Sequence, residues 1–279
     1  MFLHSTVKDF EQRHSTALLV GFEAEFVLMD ESLNPPCTPL DPVPGDSTMA
    51  GLRGTTLQLM EEIVDAVELA GMHVHKFHTE GVEHFEIALA PMTPMKAVDS
   101  LMSLHETIRT IAIRHGLKAT LTPRPTLNGN RSRCHVHISV DRASDSDRYL
   151  AGIMRKVEAL CAVGMPSIAS YARVDVDGAG LWIGWGTENR DLPIRKISNS
   201  HWELRFVDAT ANLYLFLALV LAAGTDGISS RQSLNWKDLT SFPQNISTKD
   251  LSTYGILKRM PQNLRASVDV LVLDQDAKR

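Results

Sequence analysis

Four short apolar runs of this chain each carry two ionisable residues two positions apart. They are Glu23 and Glu25 within Leu18 to Met29, His84 and Glu86 at Phe85 to Leu89, His135 and His137 at Val136 to Val140, and Glu203 and Arg205 at Leu204 to Val207. In a strand, residues i and i+2 point to the same face. Charges on a face that apolar neighbours would otherwise bury are costly unless they are paired or bound to a cation. For a single pair the blander reading is a solvated strand face. Recurrence in four strands points instead to one shared polar cavity, a metal-and-phosphate site inside a curved sheet.

The rest of the chain supplies helices to cover such a sheet. Thr55 to Ala70 places Leu57, Met60, Ile63, Val64 and Val67 at helical spacing, and Gly71 is a natural stop. Further helices are expected over Pro94 to Gly116, Asp147 to Val163, Asn212 to Ala223 and Leu264 to Leu273, and further strands over Val74 to Phe77, Leu117 to Thr122 and Trp182 to Trp185. Residues 31 to 50, with Pro35, Pro36, Pro39, Pro42 and Pro44, read as an irregular loop. Strands and helices interleave without a steady βαβ rhythm, which predicts an α+β fold: a curved, mainly antiparallel sheet flanked by helices. No internal repeat or interdomain linker divides the chain, so residues 1–279 read as a single catalytic-size domain.

Composition narrows the function classes. With 44% hydrophobic and 22% charged residues the chain can bury a sizeable core, and its net charge of -5 gives no general attraction to nucleic acid or anionic membranes. Cys37, Cys134 and Cys161 are too scattered for a disulfide framework or a zinc site. The start has Lys8 and Asp9 where a signal peptide needs an apolar stretch, and Leu213 to Ala223 is too short to span a bilayer. A cytoplasmic protein acting on small molecules is the expectation.

Paired glutamates on strands are good ligands for Mg²⁺ or Mn²⁺, which take hard oxygen donors, and a histidine in the set suits Mn²⁺ as well. Arg173, Arg190, Arg195 and Arg205 share the segment that holds Glu203. Guanidinium groups hold phosphate oxygens bidentately and stabilise charge on a transferring phosphoryl group, although each arginine alone is more often an ordinary ion-pairing residue.

These words resemble a family. Gly21-Phe22-Glu23-Ala24-Glu25-Phe26 is similar to the opening strand of the glutamine synthetase catalytic domain, and Arg133-Cys134-His135-Val136-His137-Ile138-Ser139 to its metal-histidine strand. Trp185-Gly186-Thr187-Glu188-Asn189-Arg190 with Pro193-Ile194-Arg195 resembles its arginine segment. Glu203-Leu204-Arg205-Phe206, followed by Asp208 to Leu215, resembles its metal-glutamate strand and next helix. The order holds across residues 18 to 226, and the nearest branch is the synthetase-like proteins rather than the nitrogen-assimilation enzymes.

The resemblance implies that Glu25, Glu80 and Glu86 hold one Mg²⁺ or Mn²⁺ ion and that Glu23, His135 and Glu203 hold a second on the phosphates of ATP. Arg190, Arg195 and Arg205 would line the phosphoryl-transfer path, with Arg190 and Arg195 also on the nucleotide. Arg173 would anchor the substrate carboxylate. The implied reaction phosphorylates a carboxylate to an acyl phosphate, which ammonia or an amine then converts to an amide. A small-molecule acid and amine are the expected partners, alongside a possible homo-oligomer.

The chain also departs from the pattern. Glu23 comes almost at once, leaving no room here for the family's N-terminal β-domain, and the C-terminal part is short. Where the family has a glycine-rich loop before the histidine strand, this chain has Arg131-Ser132-Arg133-Cys134, so Arg131 and Arg133 either recognise another acidic substrate or block the old pocket. Glu83-His84 stands for a usual Gly-Gln, His201 for an ATP-contacting arginine, and no glutamate lies between Arg173 and Thr187, leaving Asp175 and Asp177 as the nearest acids. Two alternatives therefore stand beside an ATP-dependent ligase: a non-catalytic relative with a scaffold or regulatory role, and metal-assisted chemistry without ATP.

Overall fold

Alternation along one long strand sets the architecture. In β1 (Leu18–Asp30) the residues Val20, Phe22, Ala24, Phe26 and Leu28 face a common apolar core, which leaves Gly21, Glu23 and Glu25 on the opposite face. The computed structural model describes residues 2–30, 46–49, 52–80, 84–125, 131–141, 143–175 and 178–274. Most of the proline-rich stretch, with Cys37, Glu83 and Asp177, lies outside them.

In chain order the described elements are α1 (Phe2–His14), β1, β2 (Asp46–Thr48), α2 (Gly54–Leu69), β3 (Val74–Glu80), β4 (Phe85–Leu89), α3 (Pro94–Arg114), β5 (Leu117–Thr120) and β6 (Cys134–Val140). They continue with α4 (Ser146–Gly164), α5 (Ile168–Tyr171), β7 (Trp185–Thr187), β8 (Ile194–Ser198), β9 (His201–Leu204), α6 (Leu213–Ser229), α7 (Thr248–Thr253) and α8 (Leu264–Leu273). One sheet runs β2-β3-β4-β1-β6-β9-β8-β7, with β5 paired to the far end of β1. All pairings are antiparallel except β7 with β8.

Helices cover the apolar face of the sheet. Leu101, Leu104 and Ile108 of α3 and Leu217, Val220 and Leu221 of α6 share one core with Phe22, Phe26, Val136, Trp202 and Leu204 of the strands. Each such side chain contributes about 1.5–3 kcal/mol by leaving water. Asn212 caps α6 by accepting from the Leu215 amide. Helices α4 and α6 approach so closely that a Cβ on Gly152 would sit 2.1 Å from the Ala223 carbonyl oxygen, so glycine is required there despite its low helix propensity.

Several elements differ from the sequence expectations. Helix α1 was not expected, yet Leu3, Val7, Phe10 and His14 fall at helical spacing and are all buried. Strand β2 lies at the end of the stretch read as an irregular loop and pairs with β3. The strand expected over Trp182 to Trp185 begins only at Trp185, and the one expected to run to Val207 ends at Leu204. Strand β8 was missed because Ile194-Arg195-Lys196-Ile197 lacks a strict alternation.

His105 of α3 is buried in this core, and its Nε2 has no partner among the described residues. Burial, and secondarily Arg109, pushes its pKa down from 6.5 to about 4. The folded state thus refuses a proton that the unfolded chain accepts. Stability is fully present above pH 6.5 and declines as pH falls towards about 4. His105→Phe is expected to flatten this acid limb by about 2–3 kcal/mol, read by urea unfolding at neutral pH and near pH 4.5.

Candidate functional site

The strand registers assemble the polar face. Glu23 of β1 lies opposite His135 of β6, His137 opposite Glu203 of β9, and Arg195 of β8 opposite Glu203. On the other side of β1, Glu25 lies opposite Glu86 of β4, which in turn lies opposite His78 of β3. The result is a cavity of about 850 Å³ lined by Glu23, Lys76, Glu80, His84, Glu86, Arg133, His135, His137, Arg190, Arg195, His201, Glu203 and Arg205, with Leu19, Ile197 and Phe242 at apolar positions.

Glu203 is the centre of the first group. It is buried, with Arg205 Nη1 on one carboxylate oxygen, Arg195 Nη1 3.0 Å from the other and His135 Nδ1 3.1 Å from Oε1. His135 Nδ1 also lies 3.1 Å from Glu23 Oε2, and His137 Nε2 lies 3.4 Å from Glu23 Oε1. Burial alone would raise the Glu203 pKa, but His135 and Arg205 overcome it and hold it at about 2. Glu23 is likewise kept ionised against burial by hydrogen bonds from His135 and His137. Burial and Arg205 push His135 down to about 4, so its imidazole is neutral at pH 7, the metal-ligating form. For His137, burial is outweighed by Glu23 and the pKa rises. His137 Nδ1 is 3.0 Å from His201 Nε2, so one ring donates and the other accepts.

The second group is His78, Glu80 and Glu86. His78 Nε2 is 3.2 Å from Glu86 Oε1, and its Nδ1 is 3.5 Å from Glu80 Oε2. Glu86 raises the His78 pKa. Lys76, on the same face of β3, places Nζ 3.2 Å from Glu86 Oε1 and 3.3 Å from Glu23 Oε1. Partial burial disfavours its ammonium form, but Glu23 and Glu86 outweigh that and raise its pKa. Glu25, expected in this group, is turned to Arg133: the Arg133 amide donates to Glu25 Oε2 at 2.9 Å and its Nη1 lies 3.5 Å from Oε1.

The arginines divide. Arg190, Arg195 and Arg205 line the cavity; Arg195 also pairs with Glu188, and Arg205 Nε donates to the Arg190 carbonyl at 3.1 Å. Arg131 pairs with Asp175 and is not among the residues lining the cavity. Arg173, expected on a substrate carboxylate, is fully buried away from the cavity. Its Nη1 and Nη2 donate to the Val207 and Arg205 carbonyls at 2.8 and 2.9 Å, with Asp208 Oδ2 3.7 Å away.

The donor set suits a hard divalent cation. Ligand atoms of Glu23, His137 and Glu203 lie within 4.8 Å of one another, as do those of His78, Glu80 and Glu86. The buried Nε2 of His135 has no hydrogen-bond partner among the described residues, and that of His137 has the 3.4 Å contact to Glu23 Oε1. Carboxylate oxygens with imidazole nitrogens fit Mg²⁺ or Mn²⁺. Lys76, His137 and His78 stand at this site outside the ligand sets implied by the family resemblance. The signal for Lys76 was present: Lys76, His78 and Glu80 recur at the spacing that had singled out the other strands.

The fold is a helix-backed sheet whose polar face gathers carboxylates, imidazoles and arginines into clusters that could hold a metal ion. The chain belongs to the glutamine synthetase catalytic-domain family, whose sequence pattern matches residues 2–279. It is 34% identical over 266 residues to protein fluG of Emericella nidulans, covering 91% of this chain and 30% of that protein. It is 28% identical over 232 residues to the gamma-glutamylpolyamine synthetase GlnA3 of Streptomyces coelicolor, covering 74% and 49%. It is 30% identical to the glutamine synthetase of Methanocaldococcus jannaschii, covering 98% and 64%. The chain thus spans between 30% and 64% of the length of these relatives. The fold is shared with the solved GmaS/ADP complex, at a TM-score of 0.82, 23% identity and coverage of 99% of this chain and 68% of that one. No helix among the described residues is long and apolar enough to cross a membrane.

Proposed function

We propose that this chain is an ATP-dependent carboxylate–amine ligase of the glutamine synthetase type, joining a small acid to ammonia or an amine through an acyl phosphate. The observation that carries this reading is the arrangement around Glu203, where Arg195, Arg205 and His135 converge on one buried carboxylate at the wall of a cavity large enough for a nucleotide and a small acid. Arg195 and Arg205, held in place by Glu203, are positioned to meet the γ-phosphoryl oxygens as charge shifts from ATP to the acid. Phosphoryl transfer needs mainly such positioning and charge stabilisation. Arg190 lies on the same wall, and His201, beside His137, borders the nucleotide side. Glu23, His135, His137 and Glu203 would hold a Mg²⁺ or Mn²⁺ ion, which when bound would neutralise phosphate charge. The attacking amine displaces phosphate from the acyl carbon and the amide nitrogen loses a proton to water.

A second reading, a relative that keeps nucleotide or metal binding without ligation, is favoured by Arg133 on Glu25 and Arg131 on Asp175, which commit the two loop arginines to acids of the protein itself. Calorimetric titration of ATP with and without Mg²⁺ separates the two halves of the question. Metal-dependent binding weakened at least about tenfold in Arg195→Ala, followed by ADP release in a screen of acids and amines, is the result expected of a ligase. Binding without turnover against any acid–amine pair supports the second reading, and absence of ATP binding overturns the first.

A further inference from the structure

We propose that Lys76 is a built-in cation of the cavity that takes the place of one divalent ion, so that the chain binds a single ion, at Glu23, Glu203 and their histidines. The inference rests on the reading of this cavity as a cation-assisted site. The Lys76 ammonium lies between the two carboxylate groups, 3.3 Å from Glu23 and 3.2 Å from Glu86, and offers three donors to them. It reaches this position from β3, on the face that also carries His78 and Glu80, so the strand itself delivers it there.

The second group keeps Glu80, but its other carboxylates are already engaged. Glu86 Oε1 is shared by Lys76 and His78, both at 3.2 Å, and Glu25 is committed to Arg133. A divalent ion bound to that Glu86 oxygen at about 2.1 Å would lie no more than roughly 5.5 Å from Nζ, where like charges repel strongly in a part-buried site. An ammonium supplies one charge and no Lewis-acid site, so it can order carboxylates without binding a substrate oxygen as a metal does. The Glu23 and Glu203 group differs because Lys76 meets it at Glu23 Oε1, while Glu23 Oε2 and Glu203 Oε1 converge on His135 Nδ1 at 3.1 Å each, so an ion there keeps two carboxylate oxygens other than the one the ammonium meets.

Counting Mn²⁺ tests this directly. Free Mn²⁺ would be followed by electron paramagnetic resonance during titration of the whole chain and of Lys76→Met, Lys76→Arg and Glu203→Gln. The wild type and Lys76→Arg are expected to take up one ion per chain, Lys76→Met to take up two, and Glu203→Gln to lose the wild-type ion. Lys76 is 43% exposed at its side chain, so the methionine variant is expected to keep the wild-type melting temperature. Two ions in the wild type, or one in Lys76→Met, overturns the proposal. Failure of ATP to bind with the Mn²⁺ counts as expected would overturn the ligase reading alone.

Discussion

Glu203→Ala is expected to lower the unfolding free energy by about 3–5 kcal/mol and to abolish metal-dependent ATP binding. The carboxylate is buried and holds Arg205, itself almost fully buried, together with Arg195 and His135. Its removal relieves repulsion from Glu23 but strands the Arg205 guanidinium and leaves Arg195 with Glu188, and the loss outweighs the gain because Arg205 has little access to water. Glu203→Gln keeps the shape and one acceptor, so it should cost less stability, about 1–3 kcal/mol, while losing nucleotide binding just as fully. The pH dependence has a definite sign. Because the folded-state pKa is depressed from 4.5 to about 2, the contribution of Glu203 is complete above pH 4.5 and disappears as pH falls towards 2. Urea unfolding of both variants, paired with ATP calorimetry, separates the structural from the binding role. Equal loss of stability in the two variants would contradict this account.

Arg173→Met should destabilise by a similar amount, about 3–5 kcal/mol, but through a different part of the molecule. The guanidinium is fully buried, ties the Arg205 and Val207 carbonyls together and faces the buried Asp208. Methionine fills the volume but leaves those acceptors and the Asp208 carboxylate without their cationic partner. Asp208 still accepts from the Thr210 amide at 2.9 Å, which limits the loss. Arg173→Met combined with Asp208→Asn should recover part of the stability, since both charges then leave together. If Arg173 instead gripped a substrate carboxylate, the single variant would raise KM for the acid with little change in the urea midpoint.

The strand pairs were legible because alternation is a local property. Once Phe22, Ala24 and Phe26 must face a core, Glu23 and Glu25 have to face away from it, and the same holds for His135 beside Val136 and Glu203 beside Leu204. Alternation accounts for the shared polar cavity, and the interleaving of strands with helices for the α+β fold with a mainly antiparallel sheet. It could not say which polar groups would meet, because the meeting depends on register between strands distant in sequence. Lys76 illustrates the gap: it satisfies the same two-residue spacing as His78 and Glu80, yet only the pairing of β3 with β4 and β4 with β1 brings its ammonium to Glu23.

The arginines show the same division more sharply. Their clustering in sequence is plain, but a guanidinium on a long side chain reaches several partners, and its nearest acid is chosen in three dimensions. Arg195 and Arg205 line the cavity, Arg131 goes to Asp175, and Arg133 goes to Glu25. Arg173 goes inward to carbonyls of the segment after β9. The apolar strands, most of the helices that cover them and the side of the sheet on which charge must gather are readable from residue order, since they follow from periodicity and the cost of burying charge. Which carboxylate takes which cation is settled in three dimensions, because that choice depends on distances of a few ångströms between groups the chain order keeps far apart.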